Sequence, residues 1–538
     1  MNRRKNGGFF GGAFALMLSG AAVKLIGALF SVPLANLYGA DGNDLFISAY
    51  YVYAAMYVVS SAGLPTAVSK LVAEARAQGR GAEVRRLGRV ALGTFLLLGA
   101  TLFAGLLLLL DPICALVGEG CRLALQAVAP TILFTCLVSA VRGYFQGLSD
   151  MTPTAVSQVI EALGKLVFGL GLARYLTRTG HRLEAVVAGA IGGVTLGTAL
   201  SALYTLLYAL RHRTKGLPEG GTCRPAGALL RELLGLALPI TVGASVSSLS
   251  SLADTLLVKL RLRQGCLLTE AAAGFSYGAY GFAVKLFNLP LSLVTAIGIS
   301  LIPAISGAQA AGQRERVLSL TESALRLTGL LAFPCAAGLA AIPGPVLRLL
   351  FGSQPAACGL AEPLLRELAP AVVLAGLVSV TGPILQALGR PELPVVSMAA
   401  GAVVKLLSSY VLVGLPEVGL RGAPLSSCLC YGVMLALNLC FLAGQGMAVP
   451  AGRTFGRTLA SAAGMGAFVR LLERPVARLM GAGRRDEALA VLLLVSGSAV
   501  FYLLLLAASR ALPREDLKML PCGEKMIKKL DFRQKNRK

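Results

Sequence analysis

Histidine is nearly absent: the 538-residue chain has two, His181 and His212. Both fall in gaps between apolar stretches, which argues against a histidine metal site or a Ser–His–Asp constellation. The phosphate-cradling spacing G-x-x-x-x-G-K-[ST] is missing too. Gly164-Lys165 runs on into Leu166 inside an apolar stretch, so nothing points to ATP hydrolysis. The eleven cysteines include no C-x-x-C pair. The closest two are Cys428 and Cys430, while Cys136, Cys335 and Cys440 lie within apolar stretches, as buried free thiols do. Charge is scarce as well, at 14% of residues, where a soluble domain carries about a quarter. With no nucleophile or metal constellation in sight, the chain reads as a non-enzyme without a cofactor.

What is present is apolar length. The chain is 56% hydrophobic, with a mean hydropathy of +0.73. Apolar stretches lie at 9–38, 45–69, 88–110, 122–146, 152–174, 184–210, 229–258, 271–303, 317–343, 363–388, 393–415, 422–447, 455–472 and 487–509. A hydrocarbon core about 30 Å thick takes roughly 20 residues of helix, which these stretches supply. Lipid offers backbone groups no partners, so spanning segments are helices or closed barrels. Their continuous apolarity excludes barrel strands. The expectation is an all-α, polytopic integral membrane protein with about fourteen transmembrane helices. The first stretch follows Met1-Asn2-Arg3-Arg4-Lys5 and is too long for a signal h-region, which predicts an uncleaved first span.

The formal charge of +24 sits in the gaps and the tail rather than on an aromatic-rich soluble domain. That placement argues against nucleic acid as a partner. With the N-terminus inside, cytoplasmic segments take about 29 of the 50 basic residues and outside loops about 15. This bias predicts cytoplasmic N- and C-termini. The basic tail at 513–538, with Lys525, Lys528, Lys529, Lys535 and Lys538, is suited to touch anionic membrane lipids or simply to be solvated.

The chain repeats itself at a shift of 240 residues. Ala129-Pro130 meets Ala369-Pro370, Leu137-Val138-Ser139 meets Leu377-Val378-Ser379, and Lys165-Leu166 meets Lys405-Leu406. Residues 129–166 carry twelve identities without a gap, where biased composition alone would give roughly three. The reading is a duplication. It predicts a six-helix lobe at 1–220, a second at 221–450, two added helices at 451–512 and the tail. Six spans per half make the repeat parallel and place a site between the lobes near mid-depth.

Charged side chains inside spans usually face a bundle interior or a water-filled cavity. Lys24 lies midway along the first stretch and Lys285 in the first half of the eighth. Both stretches are read as opening their lobes, so the two lysines are placed to face each other across a central cavity and to demand an anion. A buried ion pair, or an ammonium reaching the interface, is the alternative. Lys165 and Lys405 hold equivalent repeat positions, and Glu161 stands four residues before Lys165, where the two can neutralise each other. Arg142 reads as a phosphate ligand or as an anchor for the headgroups. Asp44 reads as a helix cap or as part of the substrate site. Asp254, deep in the seventh stretch, reads as a Na⁺ or H⁺ coupling site or as a lysine's partner, and Glu161 is a second coupling candidate. Gly189, Gly193 and Gly197 have the spacing of close helix packing.

Gly63-Leu64-Pro65-Thr66-Ala67-Val68-Ser69-Lys70-Leu71-Val72-Ala73-Glu74 resembles the signature after the second helix of bacterial polysaccharide-export proteins. Within that superfamily of multidrug, oligosaccharidyl-lipid and polysaccharide flippases, it is similar to the branch of stage V sporulation protein B and the peptidoglycan lipid II flippases. Lys24-Leu25-Ile26-Gly27 and Lys285-Leu286-Phe287-Asn288-Leu289-Pro290 resemble the first and eighth helices of the branch. The resemblance implies two rocking lobes around a cationic cavity that accepts the diphosphate-sugar head of a lipid-linked oligosaccharide precursor. It implies a bacterial plasma membrane location and a role in building cell wall or spore envelope. By position, Lys24 and Lys285 match basic cavity residues and Asp44 an acidic one, whereas Phe30 and Asn36 stand where some flippases carry arginine. A cation-coupled multidrug exporter of the same superfamily, or a membrane scaffold in spore-envelope assembly, is the alternative.

Overall fold

The computed structural model describes the backbone of residues 6–212, 224–447, 451–480 and 484–509. Within these it describes the side chains of all but 6–18, 21, 239, 243, 247, 296–304, 310, 451–454, 477–480 and 484–485. The basic tail expected to touch lipid lies outside the described residues.

The described residues contain helices and no strand. In chain order they are α1 (Asn6–Ser61), α2 (Gly63–Ala77), α3 (Gly81–Leu108), α4 (Leu110–Val117), α5 (Arg122–Gly147), α6 (Thr152–Gly164), α7 (Leu170–Arg178), α8 (Leu183–His212) and α9 (Ala226–Gln264). They continue as α10 (Glu270–Ala310), α11 (Arg314–Ala341), α12 (Pro343–Phe351), α13 (Pro355–Ala387), α14 (Glu392–Gly414), α15 (Gly422–Gly444), α16 (Ala451–Met480) and α17 (Arg484–Ser509). Between α6 and α7 the helix continues as a π-turn over Lys165–Gly169. Eleven helices among the described residues are long and apolar enough to cross a membrane. The first of these runs from Ala22 to Ala77 and takes in two expected spans. The expected spans at 271–303 and 455–472 coincide with α10 and α16, which are helical but stand outside that set.

Packing divides the chain into two compact units, Met1–Gly281 with Gly414–Pro416, and Phe282–Val413 with Glu417–Lys538. In the first, α5 packs on α2, α3 and α8, and α9 packs on α1 and α2. One core cluster gathers Phe30, Leu34, Val52, Tyr53, Leu125, Ile132 and Ile191. A second gathers Leu64, Val68, Leu71, Phe95, Phe145 and Leu233 around α2, α3 and α9. In the second unit, α13 packs on α11 and α15, and α16 on α11 and α17. Phe282 stacks on Phe351 there, with ring centroids 4.6 Å apart. Large apolar side chains also face outward, such as Leu97 at 71% and Leu108 at 82% exposure. In water these would be a liability; lipid tails solvate them.

Two glycine positions shape the first unit. Gly39, with φ 70° and ψ −163°, breaks α1 in mid-course. That left-handed backbone suits glycine, which has no Cβ to clash. The second is the seam between α8 and the α6–α7 segment. A Cβ on Gly193 would strike the backbone of Gly169, and one on Gly197 would lie 2.6 Å from the carbonyl oxygen of Glu161. The small-residue spacing read from the sequence therefore marks a true backbone approach. Gly193→Val is expected to cost about 3 kcal/mol, the upper range for overpacking. A drop in the thermal unfolding midpoint of the detergent-solubilised chain checks this.

Candidate functional site

A cavity of about 420 Å³ lies within the first unit. Its walls explain what the break at Gly39 does. Lys24 and Tyr53 both line the cavity, yet on a straight helix they would stand about 44 Å apart. The α1 segment is therefore a helical hairpin. Phe30 before the break and Phe46 after it have ring centroids 6.2 Å apart. Arg142 enters from α5, Glu161 from α6, Lys165 from the π-turn and Val194 from α8.

Three cations and one carboxylate line this space, namely Lys24, Arg142, Lys165 and Glu161. The Nη2 of Arg142 donates to Glu161 Oε2 at 3.2 Å and to Ser201 Oγ at 3.4 Å, and its Nε donates to Ser157 Oγ at 2.8 Å. Arg142 is thus held inside the unit by three side chains. Glu161 closes its ion pair with Arg142 rather than with Lys165, on which its charge still acts. The Lys165 ammonium lies over two rings instead, 4.7 Å from the centroid of Phe30 and 5.3 Å from that of Tyr50. Glu161 and Lys165 share one α-helical turn, the Lys165 N–H donating to the Glu161 carbonyl, but the carboxylate is taken by Arg142, which reaches it from α5.

The rings form a ladder along the second arm of α1. Phe46 and Tyr50 stack at 5.9 Å, Tyr50 and Tyr53 meet at 5.7 Å, and Tyr53 and Tyr57 at 5.6 Å. This aromatic wall was missed from the sequence. The 46-50-53-57 spacing, a helical stripe of rings, was the signal that would have found it.

Asp44 belongs to a different group. Its Oδ1 pairs with the Nζ of Lys259 at 2.5 Å. Lys259 also donates to Ser48 Oγ at 2.8 Å, and Ser48 Oγ donates to Asp44 Oδ1 at 3.3 Å. Both charges are largely buried. The helix-cap reading of Asp44 gives way to a buried ion pair between α1 and α9. Hydropathy closes the seventh span at 258 and so hides Lys259, whereas α9 runs to Gln264. Beside it Tyr277 Oη and Thr255 Oγ1 share a hydrogen bond of 2.8 Å, and the preceding Asp254 is 6% exposed.

Lys285 and Lys405 lie in the second unit. The Lys285 ammonium stands 5.7 Å from the Phe282 ring centroid, and Lys405 donates to Ser427 Oγ at 3.2 Å. Of the eight residues singled out, Lys24, Arg142, Glu161 and Lys165 share the first-unit cavity, Asp44 joins Lys259, and Asp254 lies elsewhere on α9.

The family model described as "Polysaccharide biosynthesis protein" matches residues 9–309, and the one described as MatE matches residues 274–411. The lipid II flippase MurJ of Bacillus subtilis (strain 168) is 24% identical over 393 residues, 68% of this chain and 70% of the relative. Stage V sporulation protein B of the same strain is 27% identical over 355 residues, 65% of this chain and 68% of the relative. Among solved structures, lipid II flippase MurJ in an inward closed conformation superposes with a TM-score of 0.69 at 14% identity, over 93% of this chain and 99% of that one. An inward-facing multidrug resistance MATE transporter of the MOP superfamily gives 0.64 at 15% identity, over 79% of this chain and 95% of that one.

Proposed function

Because this chain belongs to the polysaccharide biosynthesis protein family, we propose that it is a flippase. Its cargo is the diphosphate-sugar head of an undecaprenyl-linked cell-wall precursor, lipid II foremost. It moves that head across the bacterial cytoplasmic membrane by alternating access of two lobes, 1–220 and 221–450. The helices at 451–512 flank the path of the lipid tail, and both termini face the cytoplasm. The relatives named as lipid II flippase and stage V sporulation protein B support this reading.

The single observation that carries it is the excess of cations over carboxylates in the first-unit cavity. Cations inside a membrane protein are costly, and an anionic cargo offsets that cost. Lys24 and Lys165 are the diphosphate ligands in this unit, with Lys285 and Lys405 as candidates in the other. No covalent chemistry is required. Asp254 is the candidate for a coupling Na⁺ or H⁺.

The MatE match and the MATE neighbour favour a second reading, a cation-coupled multidrug exporter. One experiment separates the two. The full chain is reconstituted in liposomes, and translocation of fluorescent lipid II and cation-driven efflux of a cationic drug are both measured. The flippase reading expects the first and not the second. Drug efflux without lipid translocation would overturn it.

A further inference from the structure

We propose that Glu161 sets the charge of the ligand that the first-unit cavity accepts, selecting a dianion of the diphosphate-diester kind. The proposal rests on the flippase reading and adds a charge class to it. The lining groups carry formal positive charges on Lys24, Arg142 and Lys165 and a negative one on Glu161, an excess of two. Net charge enclosed among membrane helices is unfavourable, so a ligand that cancels the excess is held best. A diphosphate bridging a lipid and a sugar is a diester with one negative charge per phosphorus. A lipid phosphate-sugar diester carries one charge in all. A lipid diphosphate without sugar carries close to three at neutral pH, because a terminal phosphate loses its second proton near about pH 6.

The geometry makes Glu161 the deciding group. It takes Arg142 Nη2 at 3.2 Å and thereby cancels one of the three cations. Arg142 does not depend on that carboxylate for its place, since Ser157 and Ser201 also hold it, at 2.8 and 3.4 Å. Lys165 rests on the Phe30 and Tyr50 rings, a seat that an incoming phosphate can draw it from. Internal comparison supports reading Arg142 and Glu161 as one device. At the equivalent positions of the second repeat stand Gly382 and Gly401, so both members are missing together, while Lys405 keeps the counterpart of Lys165.

The test uses the full chain in detergent and three short-chain prenyl analogues: a phosphate-sugar, a diphosphate-sugar and a diphosphate. Each is titrated calorimetrically at neutral pH and low salt. Glu161→Gln raises the excess to three. It is expected to shift the affinity ratio of diphosphate over diphosphate-sugar upward by about tenfold. Arg142→Gln lowers the excess to one and is expected to shift preference about as far toward the phosphate-sugar. The double variant R142Q/E161Q restores the excess of two and is expected to return the wild-type ratios. Unmoved ratios in Glu161→Gln overturn the proposal. If that variant does not fold, Arg142→Gln decides: a shift toward the phosphate-sugar supports charge setting, and unmoved ratios overturn it. Wild-type protein that binds none of the three analogues would instead defeat the flippase reading itself.

Discussion

Replacing Lys24 and Lys165 together by alanine is expected to lower translocation of a lipid-linked diphosphate at least about tenfold at equal amounts of folded protein. An ammonium about 4 Å from a phosphate is worth about 4 kcal/mol at an effective dielectric of 20, before the cost of stripping water from both. Even after a heavy discount, each lysine is expected to carry about an order of magnitude in affinity. What the double variant leaves in the cavity is the Arg142–Glu161 pair, which cancels itself. Folding is expected to suffer little, because the contact of Lys165 with two rings is worth about 1–2 kcal/mol. Translocation of fluorescent lipid II in liposomes, normalised to protein with an unchanged melting midpoint, checks the result.

Asp44→Ala is expected to act on the fold itself. It strands the Lys259 ammonium in the interior, and breaking a buried pair from one side costs about 3–5 kcal/mol. Lys259→Met strands the carboxylate and is expected to cost about as much. The double variant D44A/K259M removes both charges and is expected to recover most of the loss. A double-mutant cycle on melting midpoints measures that coupling. Additive losses would mean that the pair seen between α1 and α9 contributes nothing as a pair.

Helical membrane architecture was legible in the sequence because lipid leaves the backbone no choice. Each expected span meets a helix. Side-chain placement was harder to read. Lys24, Arg142, Glu161 and Lys165 were singled out as costly intramembrane charges, yet their grouping depends on which helices pack together, which the order of residues does not display. The partner of Glu161 was hidden because helical spacing compares residues of one helix only, whereas Arg142 reaches the carboxylate from α5. Lys259 escaped notice because hydropathy ends a span where charge begins, whereas a helix ends where its hydrogen bonds do. Phe30 looked like a lost arginine. It is the ring on which the cation from α6's continuation comes to rest.

The hairpin carries one more consequence. Lys24 and the tyrosine ladder stand on its two arms, and Gly39 is the residue that departs from helical torsions between them. Like the spring of a pair of tweezers, it fixes how far apart the tips stand. A small turn about φ or ψ at that one residue would widen or narrow the space between the arms, without asking either helix to unwind.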